Sequence, residues 1–189
     1  MDRITGSIFT LDLGVTSGFA RGRPGDAPVS GTVRLKKPSE TIDLAYANLI
    51  AFLCEQFEAD RPELLVKEKM LALQAFATIG NAEKTVRAHA AYHGIVEGIC
   101  VRHSVRWMDV ADSTARKHFI SRGRTGSREE TKAAVIDRCH ALGLMPRDCN
   151  DDNRADALCI HDWACANFGS RSASIQNFQL FGQGERRNG

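Results

Sequence analysis

Within its first 35 residues the chain carries three short β-prone runs with no room for a helix between them. They are Ser7–Leu13 (SIFTLDL), Gly18–Arg21 and Val29–Leu35. A Gly turn separates the first two, and the Gly/Pro stretch Arg23–Pro28 separates the second from the third. Strands joined by turns this short pair antiparallel, because a parallel return needs a crossover of about a dozen residues. The start of the chain therefore predicts a three-stranded antiparallel meander. The pattern then changes. Pro38-Ser39-Glu40 reads as a helix start with Ser39 as N-cap, and Ile42, Tyr46, Leu49, Leu53 and Phe57 recur at helical spacing. Leu64–Lys69 (LLVKEK) reads as a fourth strand, Asn81–Arg102 as a long helix and Val105–Val110 as a fifth strand. Ser113–Ser121 is a short helix, Ser127–Leu142 a helix opened by the capping box Ser127/Glu130 and closed by Gly143, and Asp151–Asn167 the last helix. A meander followed by αβ crossovers predicts an α/β fold: one mixed five-stranded sheet, three strands antiparallel and two parallel, with helices on both faces.

At 189 residues this is one compact α/β domain, residues 1–167, followed by a polar tail, 168–189, read as flexible. A core of this size needs neither a disulfide nor a structural metal. No apolar run reaches the roughly 20 residues of a membrane span, and MDRITGSIF lacks the apolar core of a signal peptide. The expectation is a cytoplasmic protein whose six cysteines are free thiols. Cys149, Cys159, His161 and Cys165 lack a paired Cys-x-x-Cys knuckle, and most fall in one helix, so a zinc site is not expected there.

In such sheets, chemistry gathers at the carboxyl ends of neighbouring strands where strand order reverses. The first strand ends in Asp12 and the fourth in Glu68. Carboxylates at the ends of apolar runs carry a desolvation penalty, and two brought together repel; a divalent cation removes both problems. The last helix opens Asp151-Asp152-Asn153-Arg154-Ala155-Asp156. Asp152 and Asp156 lie one turn apart, offset by about 40°, whereas Asp151 lies about 140° from Asp156 and is expected to cap the helix. Asn153 sits about 60° from Asp156 and offers an amide oxygen but no charge. Asp12, Glu68, Asp152 and Asp156 thus form a candidate four-carboxylate site of hard oxygens for two Mg²⁺ ions, or Mn²⁺ in their place.

The blocks LDLGVTSGFA, LLVKEKM and NDDNRADALCIHDWA, with a Lys-bearing basic segment before the last, resemble the RuvC-type Holliday junction resolvases of the ribonuclease H-like superfamily. The resemblance spans roughly residues 7–167 and is nearer the divergent, phage-borne branch than the housekeeping bacterial enzymes. It implies a ribonuclease H-like fold and a metal-dependent endonuclease that cleaves four-way DNA junctions, leaving a 5′ phosphate and a 3′ hydroxyl. It also implies metal ligation by Asp12, Glu68, Asp152 and Asp156, and catalytic assistance from Lys132, with Lys117 resembling a second lysine of the family. The chain departs from the bacterial pattern at Asn153, where an acid is usual, and at Met70 and Leu71, where an aromatic is usual; Phe76 is the nearest ring.

Charge supports nucleic-acid binding only through its distribution, since the net charge is +2. Between Ser113 and Lys132 lie Arg116, Lys117, Arg122, Arg124, Arg128 and Lys132 against Glu129 and Glu130. Such a segment beside a glycine loop can grip phosphates without reading bases. A four-way junction presents two equivalent strands, so a symmetric homodimer is expected, with Ala91, Gly94, Ile95 and Gly98 as the contact face. The competing use of that face is packing within the domain. Three other functional readings share parts of the pattern. One is a non-catalytic nucleic-acid-binding protein of the same fold, and another a related nuclease for RNA–DNA hybrids or flaps. The third is an actin- or sugar-kinase-like phosphate-binding domain, suggested by D-L-G-x-T-S but lacking a second such motif.

Overall fold

The structure is a computed structural model that describes residues 3–70, 82–122 and 126–170. Five strands, β1 (Ile8–Asp12), β2 (Thr16–Gly22), β3 (Val29–Arg34), β4 (Leu64–Glu68) and β5 (Arg106–Val110), form one sheet in the order β3-β2-β1-β4-β5. β1–β2 and β2–β3 are antiparallel, and β1–β4 and β4–β5 are parallel. The expected meander and crossovers are therefore both present. The helices are α1 (Ile42–Ala59), α2 (Ala82–Arg102), α3 (Asp112–Phe119), α4 (Arg128–Ala141) and α5 (Asp152–Phe168).

The period-2 alternation of the strands divides the molecule into two cores. Phe9, Leu11 and Leu65 face α1 and α2, where they pack with Leu49, Leu53, Phe57, Tyr92 and Val96. Ile8, Val66 and Val110 face the other way, toward Ala115 and Phe119 of α3, Val135 and Cys139 of α4, and Ala155, Leu158 and Cys159 of α5. The α5 layer is the one that matters for the site, because Asp12, two residues after Thr10, and Glu68, two after Val66, point to that side.

Most helix ends follow the expected chemistry. Ser127 and Glu130 form both bonds of the capping box, and Gly143, at φ +68°, follows the α4 C-cap, a conformation that suits glycine. The start of α1 differs. Its N-cap is Thr41 rather than Ser39. Glu40 is drawn out of the helix: its carboxylate accepts from the Lys37 N–H (2.6 Å), and its carbonyl accepts from Lys36 Nζ (2.9 Å), closing a turn at Lys37–Glu40. At the other end of the chain, α5 includes Phe168, which packs edge-on against Trp163, and Gly169 bridges to Ile4. Residues 171–189 of the expected tail lie outside the described residues. Among the described residues no helix is long and apolar enough to cross a membrane, and all six cysteines are unpaired.

Candidate active site at the carboxyl ends of the parallel strands

Three neighbouring strand ends converge. β1 ends with Asp12, β4 ends with Glu68, and Asp112 opens α3 two residues beyond the end of β5. Glu68 lies within hydrogen-bonding reach of both Asp12 and Asp112, so the three carboxyls share one environment. Burial, followed by the charges of Asp112 and Asp12, pushes the Glu68 carboxyl up to about 9. Burial and then the Asp156 charge raise Asp12 to about 7. The centre thus holds more acid than its own cations neutralise.

Helix α5 supplies the roof. Asp151 is its N-cap, accepting from the Arg154 N–H (3.1 Å), and it also accepts a hydrogen bond from Thr32 on β3. With Asp151 turned to that task, Asp156 faces the strand ends and Asp152 lies one turn before it. The helix lies directly on the sheet. Thr10 donates to the Ala157 carbonyl (2.9 Å), Arg154 Nε donates to Ser30 (2.9 Å), and the Asn153 carbonyl rests on Gly18. Gly18 is the partner of Asp12 in the β1–β2 ladder, which places the first turn of α5 over Asp12. This close approach explains the second glycine of the D-x-G-x-x-x-G element.

Asp156 is 15% exposed and is held by Arg116, whose Nη2 lies 3.1 Å from both carboxylate oxygens. Burial raises the Asp156 pKa, and the guanidinium opposes that rise. Arg116 Nη2 also lies 3.3 Å from Asp112, four residues earlier on α3. Asp152 sits apart from this centre, paired with Lys132 of α4, and that hydrogen bond is the main cause holding its pKa low. Asn153 reaches toward Asp152 rather than the centre (3.5 Å).

The expected site residues therefore fall into groups. Asp12, Glu68 and Asp156 come together, and Asp152 and Lys132 form an adjacent pair. Lys117, Arg122 and Arg128 are exposed on the α3–α4 side, whereas Arg124 lies outside the described residues, as does Phe76. Arg116 requires a correction: it is not displayed for phosphates but turned inward, because Asp112 and Asp156 flank its guanidinium. Asp112 was missed. Its signal was the one that found Asp12 and Glu68, an acid just beyond an apolar strand end, but an acid at a helix start has a capping explanation and passes unnoticed. Of the Cys149, Cys159, His161 and Cys165 set, where no zinc was expected, Cys165 lies 3.6 Å from His161 and Cys149 lies 3.9 Å from Arg154.

On the opposite face of β4 lies a second polar cluster. His93, Glu97 and Asp109 have donor atoms within 4.8 Å of one another, a spacing that suits a metal. Lys67, with no exposed side-chain surface, occupies its middle: its Nζ is 2.7 Å from His93 Nδ1, 3.0 Å from Glu97 and hydrogen-bonded to Asp109. The ammonium is already the cation there, and the three partners offset its burial. Since Lys67 donates to Nδ1, His93 is neutral, in line with the lowering of its pKa by burial and the lysine charge.

No protein-family model matches the chain, and no curated protein sequence matches it. Solved structures do. RuvC of Thermus thermophilus in complex with a Holliday junction substrate aligns with a TM-score of 0.63 at 17% identity, over 86% of this chain and 93% of that one. A second T. thermophilus RuvC structure gives 0.59 at 18% identity, over 82% and 90%. The yeast mitochondrial Holliday junction resolvase Ydc2 gives 0.57 at 14% identity, over 96% and 85%. The sheet order and helix placement are those of the ribonuclease H-like class. Within that class, the chain has the fold of the RuvC-type Holliday junction resolvases.

Proposed function

We propose that this protein is a divalent-metal-dependent endonuclease for branched DNA, above all four-way junctions, whose products carry a 5′ phosphate and a 3′ hydroxyl. The observation that supports this reading best is the convergence of Asp12 and Glu68, at adjoining strand ends, with Asp156 of the helix that lies over them. Two of these carboxyls are raised far enough to hold protons near neutrality. A buried set of hard oxygen donors with too few counter-charges fits Mg²⁺ or Mn²⁺. Asp12, Glu68 and Asp156 would hold the ions, with Asp152 at the rim. Bound there, the metal supplies Lewis acidity, making water a competent nucleophile at neutral pH and offsetting charge on the leaving oxygen.

The chain's own side chains do the rest. Asp152 fixes Lys132 beside the centre, where its ammonium is placed to offset charge developing on the scissile phosphate. Lys117, Arg122 and Arg128, exposed on the α3–α4 side, provide a basic surface for backbone phosphates. The kinase-like alternative loses support at Gly14–Ser17. There the Gly14 N–H donates to Ser17 Oγ (3.1 Å), and the Ser17 hydroxyl donates back to the Gly14 carbonyl (2.8 Å), so the loop spends its polar groups on itself. A non-catalytic scaffold offers no reason to bury protonated carboxyls.

Four-way junctions, flaps and RNA–DNA hybrids assayed side by side in Mg²⁺ test the proposal. Junctions should be cut fastest, in paired strands, with ligatable ends, and chelation should stop the reaction. Preferential cleavage of hybrids would instead identify the related nuclease activity.

We also propose a homodimer through α2. A Cβ added at Gly94 or Gly98 would meet nothing within 4 Å among the described residues, so among these the two glycines do not serve packing within the domain, whereas Ile95 of the same face packs partly on the core. The same side of the helix carries Val101, 64% exposed. Gly94→Gln should convert a dimer to a monomer in light scattering at micromolar concentration and lower paired-strand cutting. A wild-type protein that is already monomeric there would refute the assignment.

A further inference from the structure

The carboxylate centre contains a cation of its own. Arg116 grips both oxygens of Asp156, with Nη2 at 3.1 Å from each and Nε at 3.4 Å from Oδ1. A carboxylate held in this bidentate way has its best lone pairs committed to N–H donors, so it cannot offer them to an ion as well. One helical turn earlier on α3, Asp112 lies 3.3 Å from the same Nη2. Asp112 in turn lies beside Glu68, whose pKa its charge helps raise. The guanidinium therefore sits between two carboxylates, one on the roof helix and one on its own helix. Its side chain is 20% exposed.

Resting on the metal-nuclease reading above, we propose that Arg116 is the resident counter-cation of the carboxylate centre. Asp112 is the acceptor that takes Arg116 over when a divalent ion claims Asp156. The two residues are positioning residues: neither need touch DNA, and both set how readily Asp156 becomes available. A divalent ion next to a fixed guanidinium is repelled by it. Relief requires only a small side-chain rotation, because Asp112 is already in contact.

The test is Mn²⁺ affinity of the full chain, read from the electron paramagnetic resonance signal of free Mn²⁺, with no DNA present. Arg116→Gln should bind Mn²⁺ at least tenfold tighter than wild type, while Arg116→Lys, which keeps the charge, stays within threefold. A merely structural role predicts the opposite, weaker binding on loss of the arginine. Asp112→Asn should bind at least tenfold more weakly, because Arg116 then has only Asp156 to hold. In the double variant Asp112→Asn/Arg116→Gln most of that weakening should vanish. Persistence of the full loss would show that Asp112 ligates the ion directly, and would overturn the proposal. Equal or weaker binding by Arg116→Gln would overturn it as well. If Arg116→Gln does not fold, as judged by circular dichroism, unchanged affinity in Asp112→Asn is sufficient to overturn it. Absence of Mn²⁺ binding by wild type up to millimolar concentration would defeat the metal-nuclease reading itself, a result distinct from all of these.

Discussion

Glu68→Gln is expected to abolish cleavage and, in the absence of metal, to make the protein more stable at pH 8 than wild type. Both effects have one cause. Folding carries the Glu68 carboxyl from water, where its ordinary value is 4.5, to a site where burial and the neighbouring acids hold it at about 9. A carboxyl whose folded value is raised favours folding fully only below its unfolded value. That contribution is lost as pH climbs from about 4.5 to about 9, because the unfolded chain releases the proton and the folded one must keep it or bury a charge. The metal-free wild type should therefore lose thermal stability steadily across that window. Asp12, raised to about 7, adds to the slope in its lower half. Glutamine places a neutral amide where the protonated acid sits, so the slope should flatten. Its gain at pH 8 should be on the order of 2 kcal/mol, or ~5 °C in Tm for a domain of this size. Added Mg²⁺ should stabilise wild type more as pH rises, and the variant far less. Melting curves in chelator from pH 5 to 9, with and without Mg²⁺, check this alongside cleavage rates. An unchanged pH slope in the variant, or cleavage within tenfold of wild type, would remove Glu68 from the site.

The same residues show what a sequence reveals and what it hides. Asp12 and Glu68 were legible because each interrupts an apolar, alternating run, and the strand order implied by the turns and crossovers makes those ends neighbours. Asp151 was legible as a cap from helical angles alone, and Ser127/Glu130 from a four-residue pattern. These are local or periodic signals. Asp112 and Arg116 are not. Asp112 has an innocent explanation as a first-turn acid, and Arg116 stands in a run of basic residues whose average suggests a solvated, phosphate-gripping surface. Only the packing of α3 against α5 turns that one arginine inward while Lys117 beside it stays exposed. Lys67 was hidden in the same way. In LLVKEK the lysine reads as the fraying of a strand toward solvent, whereas α2 lies over it and supplies His93 and Glu97 from a helix 26 and 30 positions along the chain. Pairing across elements distant in sequence leaves no mark in composition or period.

Gly18→Ala tests the architecture rather than the chemistry, and its expected effect is large for a single methyl group. Gly18 faces the first turn of α5 across the sheet, and a Cβ built there falls far inside contact distance of the Asn153 carbonyl, with the Arg154 nitrogen at 3.1 Å. The clash is with backbone, so no side chain can rotate away. The helix cannot simply lift, because Thr10 holds the Ala157 carbonyl, Arg154 holds Ser30, and Thr32 holds the Asp151 cap. Either those bonds break or β2 is pushed from β1 beside Asp12. Overpacking of this kind costs about 3 kcal/mol, and the displaced helix carries Asp156 and Asp152 with it. Misplacing a reactive group by about 1 Å can cost 100-fold in rate, so cleavage should fall at least that far even at temperatures where the variant is folded. Gly14→Ala is the internal comparison. Its nearest obstacle is the Thr16 carbonyl at 3.2 Å, within the same turn, which can shift by a few tenths of an ångström without moving α5. That variant should lose stability but keep activity within about tenfold. Urea unfolding and single-turnover cleavage of both variants distinguish the two cases. Wild-type stability and rate in Gly18→Ala would mean that α5 does not rest on β2 as described, and the placement of its acids over Asp12 would fall with it.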